Sequence, residues 1–223
     1  MNVCLFDIDG TLLSTGGAGK AAMEAGLLAR FNLVNLIDNV PYSGRTDRAI
    51  GSDLLRLHNV ADTPECWQRL VDSYLEHLPT FLASHPGRIL PGVSDLLNSL
   101  CAGDVMLGLL TGNIREGARL KLGHFGLWEH FSFGGFGDNH LNRDDVAREA
   151  MERLVRLIGA DTLEQVWVVG DTPLDVRCAR AIGARIAAVA TGWHSLEELA
   201  AENPDLLFRD FSTPEPLFEA LRA

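Results

Sequence analysis

Apolar positions along this chain follow two rhythms. Short unbroken runs at residues 3–6, 105–110, 166–169, 186–190 and, more weakly, 206–208 are β-branched or otherwise apolar throughout. Runs of this kind read as parallel strands buried on both faces. Between them the apolar residues recur with a helical period. Residues 93–101 and 115–125 flank the second run; residues 146–158 and 175–182 flank the third, with Gly183 as a stop. Ser195-Leu196-Glu197-Glu198 has capping-box spacing, and Thr213-Pro214 reads as an N-cap with proline at the first helical position. Strands alternating with helices predict an α/β fold around a five-stranded parallel sheet.

One stretch breaks the alternation. From Ser14 to Arg88 there is no convincing strand, only helical runs at 20–31, 46–58 and 64–83, the last opened by Thr63-Pro64-Glu65. That is too long for an ordinary connection. It predicts a helical domain over 15–88, inserted into a core made of 1–14 and 89–223. Its linkers would be Ser14-Thr15-Gly16-Gly17 and Ser84-His85-Pro86-Gly87. Trp67, Tyr74 and Phe81 recur at heptad spacing and predict one packed helix face.

Composition narrows the function. The chain is 47% hydrophobic, enough for a sizeable core, and its formal charge of −11 disfavours nucleic acid and anionic membranes as partners. No apolar run approaches the ~18 residues of a membrane span. The N-terminal apolar run is short and meets Asp7 at once, unlike a secretory signal, so a cytoplasmic location is expected. Cys4, Cys66, Cys101 and Cys178 form no CxxC pair and are expected to be reduced and mostly packed. The basic residues are seventeen Arg and only two Lys, Lys20 and Lys121. A role often held by lysine therefore has few lysines to fill it.

The candidate chemistry sits at the ends of the first three runs, which is where ligands bind in open parallel sheets. The first is followed by Asp7-Ile8-Asp9-Gly10-Thr11, the second by Thr111-Gly112-Asn113, the third by Gly170-Asp171-Thr172-Pro173-Leu174-Asp175. Residues two apart in extended chain share a side, so Asp7 and Asp9 can converge on one substrate. A carboxylate can attack phosphorus, and a second can protonate the leaving oxygen and later activate water. Several carboxylates also make a hard oxygen site for Mg²⁺, which would offset repulsion between Asp7 and a phosphate. Asp175 has a second reading as a helix N-cap, and Thr111 and Asn113 have one as turn residues. Ser43-Gly44-Arg45-Thr46-Asp47 is a polar loop before a helix; Arg45 could meet an anionic substrate group, or be a surface residue beside a Thr46 N-cap. Gly16-Gly17-Ala18-Gly19-Lys20 lacks the glycine and hydroxyl positions of a phosphate loop.

These motifs resemble those of the haloacid dehalogenase superfamily, in its phosphatase and phosphomutase branch. Asp7-Ile8-Asp9-Gly10-Thr11-Leu12 is similar to the family's first motif, Leu110-Thr111-Gly112-Asn113 to its second, and Gly170 to Asp175 to its fourth; Pro91-Gly92-Val93 resembles a common entry into the core after a helical cap. The resemblance covers nearly the whole chain. It implies a Rossmann-like parallel sheet core with an inserted α-helical cap. Asp7 is the implied nucleophile and a Mg²⁺ ligand, and Asp9 the general acid/base with its backbone carbonyl on the metal. Thr111 and the Gly112 amide would hold the phosphoryl group. Asp171 and Asp175 would serve the metal. The family's third motif usually brings a lysine, which is missing here. Arg143, in Asn142-Arg143-Asp144-Asp145, is the expected replacement, and Lys121, inside a helix and expected to be exposed, is the alternative. The implied reaction is Mg²⁺-dependent hydrolysis of a small phosphorylated metabolite, phosphoglycolate being one candidate, by a monomer or homodimer. The rivals are a phosphomutase using the same aspartyl-phosphate and a non-catalytic binding protein of the same fold.

Overall fold

A computed structural model describes residues 1–37 and 39–222 of the 223-residue chain. The chain opens with β1 (Asn2–Phe6) and β2 (Leu13–Ser14), then three helices, α1 (Ala18–Phe31), α2 (Asp47–Leu57) and α3 (Pro64–Ser84). After β3 (Arg88–Ile89) come α4 (Val93–Ala102), β4 (Val105–Leu110), α5 (Arg115–His124) and β5 (Phe133–Gly135). The rest is α6 (Arg143–Ile158), β6 (Gln165–Gly170), α7 (Pro173–Ala181), β7 (Arg185–Val189), α8 (Leu196–Ala201), β8 (Leu206–Phe208) and α9 (Glu215–Arg222).

Six parallel strands form the main sheet, in the order β5-β4-β1-β6-β7-β8. Five were expected. The sixth, β5, reads Phe-Gly-Gly and is defined by its pairing with β4, Gly108 opposite Phe133 and Leu110 opposite Gly135. Two glycines leave no side-chain alternation from which a strand can be read.

The unbroken apolar runs follow from burial on both faces. Val3 and Leu5 of β1 join Leu110, Val168 and Ile186 against Val146, Ala150, Leu154 and Val176 of α6 and α7. Cys4 and Phe6 point the other way, with Leu107, Trp167 and Val169, onto Leu96, Leu100, Leu217 and Leu221 of α4 and α9. Helix starts carry the polar groups that the sequence offers. Thr46 and Thr63 accept from the Ala49 and Cys66 amides, and Ser195 with Glu198 forms the expected capping box. Some helix starts differ from the apolar pattern: α1 and α7 begin two residues earlier, at Ala18 and Pro173, α6 begins at Arg143 behind an Asn142 cap, and α9 begins at Glu215, one residue past Pro214.

α1, α2 and α3 enclose an apolar cluster of their own, with Leu27, Leu54, Leu55, Leu70, Tyr74 and Leu78 at its centre and Ile114 joining from the sheet side. Trp67 and Phe81 pack against it beside buried Tyr74, as the heptad spacing predicted. The chain leaves and re-enters this helical segment through an antiparallel ribbon, Leu13 opposite Ile89 and Ser14 opposite Arg88. Among the described residues no helix is long and apolar enough to cross a membrane. Cys4 and Cys178 are buried, but Cys101 is exposed.

Strand order reverses at β1, which lies between β4 and β6. The carboxyl ends of β1, β4 and β6 are therefore neighbours at the switch point of the sheet. The core beneath them sets their spacing. Leu5→Ala is expected to cost about 2–5 kcal/mol in urea unfolding, whereas Leu157→Ala, at an exposed position of α6, is expected to stay within about 0.5 kcal/mol.

Candidate active site

The ladder between β1 and β6 runs one residue beyond β1, the Asp7 amide donating to the Val169 carbonyl at 2.9 Å. This fixes Asp7, which is buried, at the strand end. Gly10, at φ 87°, then turns the chain back, and a side chain there would collide with the Asp171 carboxylate. Thr11 Oγ1 donates to Asp171 Oδ1 at 3.0 Å. Asp171 follows β6 directly, and Asp175 lies in the first turn of α7. Carboxylate oxygens of Asp7, Asp171 and Asp175 come within 4.8 Å of one another.

Asp175 is not itself the N-cap of α7, which is Thr172; it is the third helical residue that closes the capping box, and it also faces the acidic cluster. Its Oδ2 accepts from the Thr172 amide at 2.9 Å and the Thr172 hydroxyl at 2.7 Å. Its Oδ1 faces the acidic cluster and accepts from Arg143 Nη2 at 2.5 Å.

Arg143 reaches into this cluster from the start of α6 and is buried. Nη2 also lies 3.1 Å from Asp7 Oδ1 and donates to the Leu110 carbonyl at 3.2 Å, while Nη1 donates to the Gly44 carbonyl at 3.2 Å. One guanidinium thus ties the ends of β1 and β4 and the first turn of α7 to the helical segment. It does not balance the charge. Burial pushes Asp7 up to about 6, against the pull of Arg143 and with the help of Asp175. Burial, then Asp175 and Asp7, holds Asp171 well above the ordinary carboxylate range. Three buried carboxylates with a single cation form an oxygen donor set suited to a hard divalent ion.

The second strand end is organised around Asn113. Thr111 is buried, and its Oγ1 accepts from Asn113 Nδ2 at 2.8 Å and from the Asn113 amide at 3.3 Å, so its own hydrogen is not spent on either. Asn113 Nδ2 also donates to Asp9 Oδ2 at 2.9 Å. The Asp9 side chain is turned to this side and is not part of the Asp7, Asp171 and Asp175 cluster.

Lys121 departs from its expected exposure. It is buried, and its Nζ donates to Asp9 Oδ2 and to Asn113 Oδ1, each at 2.6 Å. Burial opposes its charge, but Asp9, Tyr74 and Asp47 more than offset that, and the ammonium lies above the ordinary lysine range. Its place on a helix face could be read from the sequence, but its burial could not. Lys121 shares a helix face with Gly117, Ala118 and Leu122, all buried. The two cations therefore do not compete for one place: Arg143 serves Asp7 and Asp175, and Lys121 serves Asp9.

Residues 44–47 of the helical segment lie directly on the sheet end. The Asp47 amide donates to the Gly112 carbonyl at 2.7 Å, and Asp47 Oδ2 accepts from the Ile114 amide at 2.9 Å. Thr46 Oγ1 donates to the His140 carbonyl at 2.7 Å while capping α2. Gly112 permits this approach, because a Cβ there would run into the Arg45 carbonyl. The Arg45 guanidinium itself turns to Asp53 at 2.7 Å and to the Pro41 carbonyl at 3.1 Å.

Comparison with known proteins agrees with this geometry. A model of the haloacid dehalogenase-like hydrolase family matches residues 4–189. A phosphoglycolate phosphatase of Synechococcus elongatus is 34% identical over 134 residues, a stretch covering 60% of this chain and 59% of that protein. The pyrophosphatase PpaX of Halalkalibacterium halodurans is 27% identical over 221 residues, covering 94% of this chain and 93% of that protein. A hydrolase of Pseudomonas syringae shares the fold with a TM-score of 0.70 at 19% identity, covering 99% of both chains. The family match runs through all three strand ends that converge at the switch point, and the chain belongs to the haloacid dehalogenase-like hydrolases.

Proposed function

We propose that the chain is a phosphatase that hydrolyses a small phosphate monoester through an aspartyl-phosphate on Asp7, with Mg²⁺ held by Asp7, Asp171 and Asp175. The observation that carries this reading is the buried meeting of those three carboxylates beside one guanidinium. A bound divalent ion would supply the missing positive charge and screen Asp7 from an incoming phosphate. The Asp9 backbone carbonyl completes the proposed ligand set.

The chain's own groups divide the work. Asp7 attacks phosphorus, and Asp9 gives a proton to the leaving oxygen; Asp9 then takes a proton from the water that releases phosphate. The unspent Thr111 hydroxyl hydrogen and the Gly112 amide are the proposed holders of the transferring phosphoryl oxygens. Arg143 favours the ionised, nucleophilic form of Asp7 against the effect of burial.

Residues 15–88 are read as a cap over a core of 1–14 and 89–223. The separate apolar cluster and the two-stranded ribbon support this division, and the lid-like contact of residues 44–47 supports a role in excluding water. Arg45 and Asn113 remain the proposed substrate contacts of cap and core. The Arg45–Asp53 pair is partly exposed; such pairs are worth about 0–1 kcal/mol, so a substrate anion can displace it. Phosphoglycolate is the first ester to try, given the Synechococcus relative.

Phosphate release from a panel of metabolite monoesters, with Mg²⁺ and with EDTA, tests the reading. Release that needs the ion is expected. Passage of the phosphoryl group to a second hydroxyl without release would make the protein a phosphomutase instead. Asp7→Asn is expected to lower turnover by at least ~10³-fold with the melting temperature little changed, because an amide is a poor nucleophile; wild-type turnover in this variant would end the covalent mechanism.

The raised Asp7 value gives a second expectation. Without the ion, the folded state holds a proton on Asp7 up to about pH 6, above the ~3.9 of a free aspartate. Stability from this group is full below the unfolded value and is lost as pH rises through about 6. Mg²⁺ competes with that proton, so the rise in melting temperature on adding Mg²⁺ is expected to be larger at pH 7.5 than at pH 5. At a hundredfold excess over Kd the stabilisation is on the order of 2–3 kcal/mol. An equal rise at both pH values would place the ion away from Asp7.

A further inference from the structure

We propose that Lys121 is a positioning residue for Asp9: with Asn113 it holds Asp9 Oδ2, leaving Asp9 Oδ1 as the oxygen that delivers and recovers the proton. The proposal rests on the phosphatase reading above and deepens it.

The geometry is one-sided. Lys121 Nζ at 2.6 Å and Asn113 Nδ2 at 2.9 Å both donate to Asp9 Oδ2, and Lys121 ties the pair together through Asn113 Oδ1 at 2.6 Å. A carboxylate oxygen has two lone-pair sites, and two donors occupy both. A proton cannot sit on that oxygen without facing N–H groups. No hydrogen bond to Asp9 Oδ1 is found among the described residues. The Asp9 side chain is 41% exposed, while that of Lys121 is 6% exposed, so the lysine holds a carboxylate that is itself open to solvent.

Burying an ammonium for packing alone is unfavourable, because an apolar side chain fills the same space without desolvation. The surroundings are nevertheless shaped for it. In the first turn of α1, Gly19 stands over the lysine tip; a Cβ there would lie 2.9 Å from Nζ and 3.1 Å from Cε. The helical segment thus leaves a slot through which Lys121 reaches Asp9.

The steps balance as follows. In the first, the Asp7 oxygen–phosphorus bond forms and the bond from phosphorus to the leaving oxygen breaks. The bonding pair stays on that oxygen, which receives the proton of Asp9 Oδ1. In the second, water oxygen bonds to phosphorus, the Asp7–phosphorus bond breaks, and a water proton returns to Asp9 Oδ1. A misplaced Asp9 therefore harms esters of poor leaving groups most, since a nitrophenolate leaves without a proton.

The test compares kcat/KM, which reports the first irreversible step, for an alkyl phosphate and for p-nitrophenyl phosphate. Lys121→Gln is expected to lose about 10- to 100-fold on the alkyl ester and less than about 3-fold on the nitrophenyl ester. Gly19→Ala keeps every charge but pushes the lysine tip aside, and is expected to show the same selective loss, about 10-fold, with no fall in melting temperature because alanine favours the helix. Equal losses on both esters in these variants would overturn the proposal and leave Lys121 a structural residue. If Lys121→Gln does not fold, Gly19→Ala decides alone. Wild-type protein inert toward both esters would instead sink the phosphatase reading and this proposal with it.

Discussion

A carboxylate taken out of water loses several kcal/mol of hydration unless a cation or hydrogen bonds replace it. Asp7, Asp171 and Asp175 are all buried at neighbouring strand ends, and the Arg143 guanidinium is what the protein supplies in return. Much of the architecture serves that contact. α6 starts where it does because Asn142 caps it, and this aims Arg143 at the sheet. The strand order brings Asp7, the Leu110 carbonyl and, at the start of α7, Asp175 within reach of one planar fork. Arginine suits the place better than lysine would, because it can serve Asp7, Asp175, Leu110 and Gly44 at once from a rigid plane and stays charged throughout. Taking away that cation would leave buried charge uncompensated, a loss of about 3–5 kcal/mol in comparable cases.

The remaining negative charge would suit a bound divalent ion. A site that is fully neutral when empty has little reason to take up a divalent ion. Here burial and mutual repulsion raise Asp7 and Asp171 above the ordinary carboxylate range, so a divalent ion binding there would compete with protons. Asp9 is kept out of this arrangement. Its carboxylate is held by Lys121 and Asn113, so the two cations divide the acidic residues into two separate groups.

Much of this was legible in the sequence because it depends on short-range pattern. β4 has the limits that its apolar run predicted, and Asp7, Thr111 and Asp171 could be found simply as the first polar residues after strands. The rest depends on long-range partners. β5 exists because β4 offers it an edge, and the ribbon of β2 and β3 is only two residues long on each side. Lys121 was harder for a related reason. Its helix face could be read, but its burial depends on α1 packing above it, which no local pattern reports. Arg45 shows the converse: its position by the site was legible, whereas the direction of its side chain is set by Asp53, eight residues further on in α2.

The ribbon at the base of the helical segment has a mechanical consequence. A single tether would let the helices swivel about every axis. Two crossings side by side, with the Leu90 amide donating to the Leu12 carbonyl at 3.0 Å and Gly16 packed on Pro86, remove torsion and sideways sliding together. What remains is bending across the ribbon. Any separation of the helices from the sheet is thereby reduced to one coordinate, and on its return stroke residues 44–47 come back to the same peptide groups each time.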